Sequence, residues 1–473
     1  MFDPDIAPSG TLLGLLQRGR GDGTLHALAA PRGEALAALD SCVAHDPRRD
    51  WQVENRSLYY ARLYVELDGG LEGIERHLFD PEDATDTREE RTGLALSVLG
   101  HLASYGRRSA VLLLRAYTAR GANWRWALDE LALHDDDAGL ASLATPVLDR
   151  FPVTPEGDAD LAVTVRDAFE PRPWQLWAED PRHAGRLRAA REHGSFDRWQ
   201  RQLGHQGPRP GWNVVDILQW CEDGLRRCGE WRYAAAARCL LAVATPQDRP
   251  VLLEAARSGP TGARAAALRH LADRSDPEAL DLLHAACADP AADSELLTAA
   301  LHTFTGMRGP GVLRQARVWA ARPDPLGLAA SAMLARHGTR GDAVAVLAAL
   351  RWTVRHQGAD AETLGDLVDG VGRLGVHCAA PVLRHVYRET GSSRLRGRAA
   401  AALAVTDPGF PAGFGVECLW DCEETTRELA ARHAATADDR VVEQLRRLAT
   451  DPAEEAEVQT AVRSRFEPDA TTG

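Results

Sequence analysis

The chain has 473 residues, of which 45% are apolar and only 6% aromatic, and its formal net charge is -13. That length exceeds what one hydrophobic core serves, so several domains or an array that grows by repetition is expected. The negative charge argues against a whole-surface binder of nucleic acid or anionic membrane, both of which need a positive footprint.

Ala and Leu dominate the apolar residues, and β-branched runs bounded by turn residues are scarce, which predicts an all-α chain. All 55 basic side chains are Arg. No stretch approaches the roughly 18 uninterrupted apolar residues of a membrane span, and Met1 to Asp5 has neither the positive start nor the apolar run of a secretory leader. A cytoplasmic location without membrane attachment is the expectation. The eight cysteines are scattered, without the spacing of a zinc ribbon or a disulfide framework, and read as reduced, mostly buried thiols. No metal or cofactor is expected.

Residues 1–33 form an N-terminal segment. Residues 34–151 read as a divergent helical array, with helices predicted from Arg56 to Leu67, Leu71 to Phe79, Arg91 to Ser104, Ala110 to Ala119 and Trp124 to Leu133, and with Leu63, Leu102 and Leu131 as a recurring anchor. His134, Asp135, Asp136 and Asp137 follow the last of these. They lack the spaced oxygens of a calcium loop and read as a solvated turn.

The period is lost over 152–211, where Pro and Gly rise and Trp174, Trp177, Trp199 and Trp212 appear. From Arg182 to Arg209 this connecting segment is the most basic stretch of the chain. Arg and Trp together suit a binding hot spot, which makes Arg191, Arg198, Trp199 and Arg201 candidates for partner contact. The competing reading has the tryptophans filling a joint between two arrays, with the arginines on a solvated face.

The strongest pattern occupies 212–450. From about residue 230, an Ala/Leu helix, a short turn with Asp, Pro or Gly, and a second apolar helix recur roughly every 30 residues. Ala237 to Ala242, followed by Thr245-Pro246-Gln247-Asp248, matches Ala267 to Ala272, followed by Ser275-Asp276-Pro277-Glu278, at an offset of 30 without a gap. Further units begin near Ser294, Leu326, Glu362, Arg394 and Thr426, and Leu334, Leu374 and Leu403 take the place of Leu241. Asp caps the second helix and Pro fits its first turn.

The pattern best kept at Ala267, Leu271, Asp276, Ala279 and Leu283 resembles the short HEAT repeats of the lyase-associated class found in bacterial HEAT-repeat proteins. The resemblance covers about half the chain and implies an α-solenoid of helix pairs that presents a concave binding face; the Trp/Arg-rich segment at the break then joins two arrays or caps one. Proteins of this family serve as scaffolds, adaptors, lyase subunits and DNA-repair enzymes, so the likeness speaks to architecture more than to function.

No nucleophile-elbow, Walker, Rossmann or zinc-protease motif occurs. One enzymatic alternative follows from the same resemblance. HEAT-like DNA glycosylases acting on alkylated bases carry a Trp and an Asp four residues apart, which Trp212 and Asp216 match. Trp212 would then stack beside the damaged nucleotide and Asp216 would stabilise charge developing on the sugar. The structural alternative for the pair is a staple and a carboxylate at a helix start.

In a stack of helix pairs the second helices display a ladder of side chains. From Asp342 to Val354 the buried stripe is predicted as Ala343, Val346, Leu347, Leu350 and Val354. That leaves Trp352 pointing away from the core, with His356 one turn later. In the next unit Val382, Leu383, Val386 and Tyr387 face inward and Arg384 and Arg388 outward. Trp352, His356, Arg384 and Arg388 are therefore candidate partner-binding residues, whereas Trp319 belongs on an apolar stripe. Cys418 and Cys422 read as core or half-buried thiols, and the tail 451–473 is expected to fray. The expected function is non-catalytic: a protein-protein scaffold or adaptor whose partner the sequence does not identify.

Overall fold

A computed structural model describes residues 5–191 and 211–466, and among these the regular elements are all helices, with no strand. No helix among the described residues is long and apolar enough to cross a membrane. The chain divides into two compact units, one drawn from Met1–Gln202 together with Leu383–Gly473, the other from Leu203–Val382.

In the second unit the predicted repeat appears as alternating helices. The first helices of successive repeats, Tyr233–Val243, Thr261–Asp273, Ser294–Gly306, Pro325–His337 and Leu364–Arg373, each pack on the next. The intervening helices Arg249–Ser258, Ala279–Ala288, Pro310–Trp319 and Ala343–Gln357 each pack on the first helix that follows. Small residues let the first helices approach: Ala263, Ala265, Ala266 and Ala267 are buried on one of them. A Cβ on Gly370 would fall 2.3 Å from that of Ala335, so only glycine permits that crossing.

The turns do the work expected of them. The carboxylates of Asp248 and Asp342 accept the backbone N–H of Thr245 and Thr339, closing boxes on the short turns Pro246–Asp248 and Arg340–Asp342 that lead into two second helices. Leu271, Leu334, Leu374 and Leu403 are buried, as the repeat predicts. Leu241 is 39% exposed and its neighbour Leu240 is the buried residue in the first of these helices.

The first unit takes its helices from both ends of the sequence. The predicted elements lie at Ser57–Glu66, Glu72–Leu78, Glu89–Ser104, Arg108–Arg120 and Trp124–His134, with Leu63, Leu102 and Leu131 buried. Trp174 and Trp177 are also buried: Trp177 donates its indole N–H to the carbonyl of Leu140 at 2.8 Å, and Trp174 packs edge-on against Trp124. These two fill core space within the first unit.

Helices Ser393–Thr406, Glu424–His433, Asp439–Thr450 and Ala456–Phe466 complete the unit. Between the first two of them the regular second helix is replaced by the short turns Phe410–Ala412, Phe414–Glu417 and Cys418–Trp420. Pro408, Gly409, Pro411, Gly413 and Gly415 fall there, and that density of helix breakers accounts for the interruption.

A buried arginine network joins the early and late helices of this unit. Arg396, fully buried, donates to both oxygens of Asp421 at 2.7 and 2.9 Å and to the carbonyl of Arg18 at 2.6 Å. Arg56 donates to Glu54 at 2.9 Å and to the carbonyl of Gly391 at 2.8 Å. Arg427 holds both oxygens of Glu454, and Arg62 reaches Glu454 and Asp451. Gly19, at φ +67, lies against Cys422, where a side chain would meet the sulfur.

The expectation that the tail from Asp451 frays is therefore corrected through Phe466. Val458 and, one turn later, Ala461 and Val462 are buried on the helix that packs on Glu424–His433, while Asp451 and Glu454 are tied to Arg62.

Candidate functional site

The sequence-selected residues separate on inspection of their surroundings. Arg198, Trp199 and Arg201 lie outside the described residues, and Arg191 is exposed at the end of the described stretch. Upstream of it, Arg186 bonds Asp158 at 2.7 Å and Arg182 bonds Asp180, so part of the basic stretch is engaged locally.

Asp216 is the third residue of the helix Val214–Cys228, and its carboxylate accepts the backbone N–H of Asn213 at 3.0 Å while Asn213 caps in return. Trp212 tilts against Trp220 with ring centroids 5.6 Å apart. Helix capping and aromatic packing thus account for both residues. Asp136 likewise caps Asp137–Ser142, and Asp135 pairs with Arg115. Among the described residues no group of His, Cys, Asp and Glu is arranged to hold a metal.

Of the four ladder residues, Trp352 and His356 belong to the second unit and Arg384 and Arg388 to the first. Arg384 forms an ion pair with Asp407, and Arg388 is exposed with its guanidinium 5.1 Å from the centre of the Phe414 ring.

Trp352 and His356 stack, with centroids 4.6 Å apart and planes 25° from parallel, and His356 Nδ1 lies 2.8 Å from the Trp352 carbonyl. Val346, Leu347 and Leu350 are buried on the opposite side of that helix, while Ala343 and Val354 of the predicted stripe are half-buried, and Trp319 is buried as its stripe predicts.

Trp352 stands at the edge of a groove of about 670 Å³ in the second unit. The helices Pro310–Trp319 and Ala343–Gln357 flank Pro325–His337, and the space between them is the groove. Its walls are made of small side chains, Ala320, Ala321, Ala345 and Ala348, with Leu334 and Ser331 at the base. Had these alanines been leucines, the space would be filled.

Val344 stands 80% exposed at the same groove and Trp352 is 37% exposed. At the rim, Arg317 donates to both oxygens of Asp342, at 2.8 and 3.0 Å, which holds that carboxyl below its ordinary range. The charges at this edge are thus satisfied, and what stays open is apolar surface.

Sequence reading located Trp352 but missed the groove, because two alanines in the turn after Pro310–Trp319 and two on Ala343–Gln357 carry no signal until the helices are stacked. Val344 was legible: it falls off the buried stripe of an amphipathic helix. Comparison of the chain with protein-family models, with curated proteins and with solved structures found no match.

Proposed function

We propose that this protein is a non-catalytic scaffold or adaptor of the cytoplasm, an α-solenoid of HEAT-like helix pairs that holds a protein partner in the groove beside Trp352. The observation that carries the reading is an open apolar groove whose rim charges are already paired, with a large indole and a valine left in solvent at its edge. Exposed apolar surface of that kind marks recognition sites, and a groove between helices suits an amphipathic helix or an apolar side-chain cluster. A tryptophan held by a stacked histidine is a rigid anchor that loses little entropy on binding.

The test uses two variants of the full chain. Trp352→Ala removes the anchor, and Ala348→Glu places a charge in the groove. Each is expected to weaken partner binding by about 2 kcal/mol or more, roughly thirtyfold, with helicity and melting unchanged because both positions face solvent or open space. Retained binding by both variants would remove the groove from the function.

A further inference from the structure

A second concavity, in the first unit and independent of the groove, has a different chemistry. The helix Glu89–Ser104 carries Gly93, Ser97 and Gly100 along one face, and the helix Trp124–His134 lays Trp126 and Glu130 on that stripe. A Cβ on Gly93 would fall 2.6 Å from the Trp126 ring, and one on Gly100 would collide with the Glu130 carboxylate. Ser97 between them donates to Glu130 Oε1 at 2.9 Å, and the Trp126 indole N–H points at the Ser97 hydroxyl at 3.1 Å. Trp51 then tilts onto Trp126, centroids 5.8 Å apart at 45°.

The result is a cleft of about 670 Å³ walled by Trp51, Trp124, Trp126 and Trp174, with Phe169 83% exposed at its border. One of its carboxylates, Asp167, is paired with Arg166, and four others have no cation. Glu89, Asp129, Glu130 and Glu170 line it and none forms an ion pair, whereas nearby Asp135 is paired with Arg115. Oε2 of Glu130 makes no hydrogen bond. Among the described residues one arginine lines the cleft and it is engaged elsewhere: Arg125 bonds Thr164 at 2.9 Å and lies 5.4 Å from the centre of the Trp124 ring.

We propose that this cleft binds an organic cation of the alkylated-ammonium class, held against the Trp51 and Trp126 rings with the Glu130 carboxylate as counter-charge. Indole faces attract cations, most strongly when the cation sheds little hydration, which favours an alkylated ammonium over a bare one. A metal ion is a poor occupant, since the carboxylates do not converge as a ligand set. A neutral sugar would leave the negative charge unanswered. Burial pushes the Glu130 carboxyl up to about 7 and the Asp129 carboxyl up to about 6, as expected of acids desolvated without a cation.

The experiment is calorimetric titration of the full chain at pH 8 with choline, with a peptide carrying trimethyllysine, and with 3,3-dimethylbutanol, the uncharged isostere of choline. Binding of choline, of the peptide or of both is expected, and which one binds identifies a free cation or a modified side chain as the source. The isostere should bind at least about tenfold more weakly. Glu130→Gln and Trp51→Ala should each cost about tenfold, the second being a half-buried loop residue whose loss leaves the helices intact. Equal binding of choline and its isostere, no binding of either cation, or binding indifferent to both substitutions would overturn the proposal.

Discussion

Arg396 has every oxygen it needs: two from Asp421 and the carbonyl of Arg18, all within 3 Å and all out of water. A buried pair of this kind adds little net stability over an apolar pair, yet removing one partner strands the other charge. Arg396→Ala is therefore expected to destabilise the first unit by about 3–5 kcal/mol, read as a shift in the denaturant midpoint.

Two glutamates of the same unit titrate in opposite directions. For Glu454, burial alone would raise the carboxyl, but hydrogen bonds from Arg427 and Arg62 prevail and hold it at about 2, against an ordinary 4.5. Its stabilising contribution is present above pH 4.5 and is lost as pH falls toward 2. Glu130, raised by burial from 4.5 to about 7, binds its proton more tightly in the fold, so stability declines as pH rises across that window. Melting curves from pH 3 to 8 should show Glu454→Gln flattening the acid side and Glu130→Gln flattening the neutral side.

At the scale of the element, the stripe Gly93, Ser97 and Gly100 decides whether the aromatic cleft exists. Gly93→Ala forces the Trp126 ring to move, and overpacking of that kind costs about 1–3 kcal/mol. Choline affinity should fall with it, whereas alanine at Gly185, which has no atoms within 4 Å, should change neither.

Helices were legible from periodicity to within a few residues: Ser57–Glu66 and Trp124–His134 lie where Arg56 to Leu67 and Trp124 to Leu133 were read. The cleft was not legible. Trp51 sits in a loop, Trp126 and Glu130 fall on an ordinary helix face, and only the glycine stripe on another helix brings them together. A G-x-x-x-S-x-x-G run inside a helix was the available signal, and it asks for close packing without naming the partner.

Across the molecule, the largest departure from the sequence reading lies in the first unit, where early and late segments form one body through charge. Repeat patterns report contacts between neighbours in sequence, whereas Arg396 to Arg18 or Arg62 to Glu454 span most of the chain and have no period. Cys422 reports on this closure: it lies under Gly19, and burial pushes its thiol up to about 12. It should resist thiol reagents in the full chain and become reactive once residues through Asp22 are removed; equal protection in both would mean that the early segment contributes no cover.

The proposed function rests on the second unit, whose stacked helices leave an apolar groove open beside Trp352. The most direct measurement is capture from a native cell lysate treated with nuclease, comparing the tagged chain with its Trp352→Ala and Ala348→Glu forms and identifying bound proteins by mass spectrometry. A defined protein retained by the unaltered chain and lost from both variants is the expected result. Identical capture by all three, or recovery only of DNA-associated proteins that nuclease releases, would contradict it.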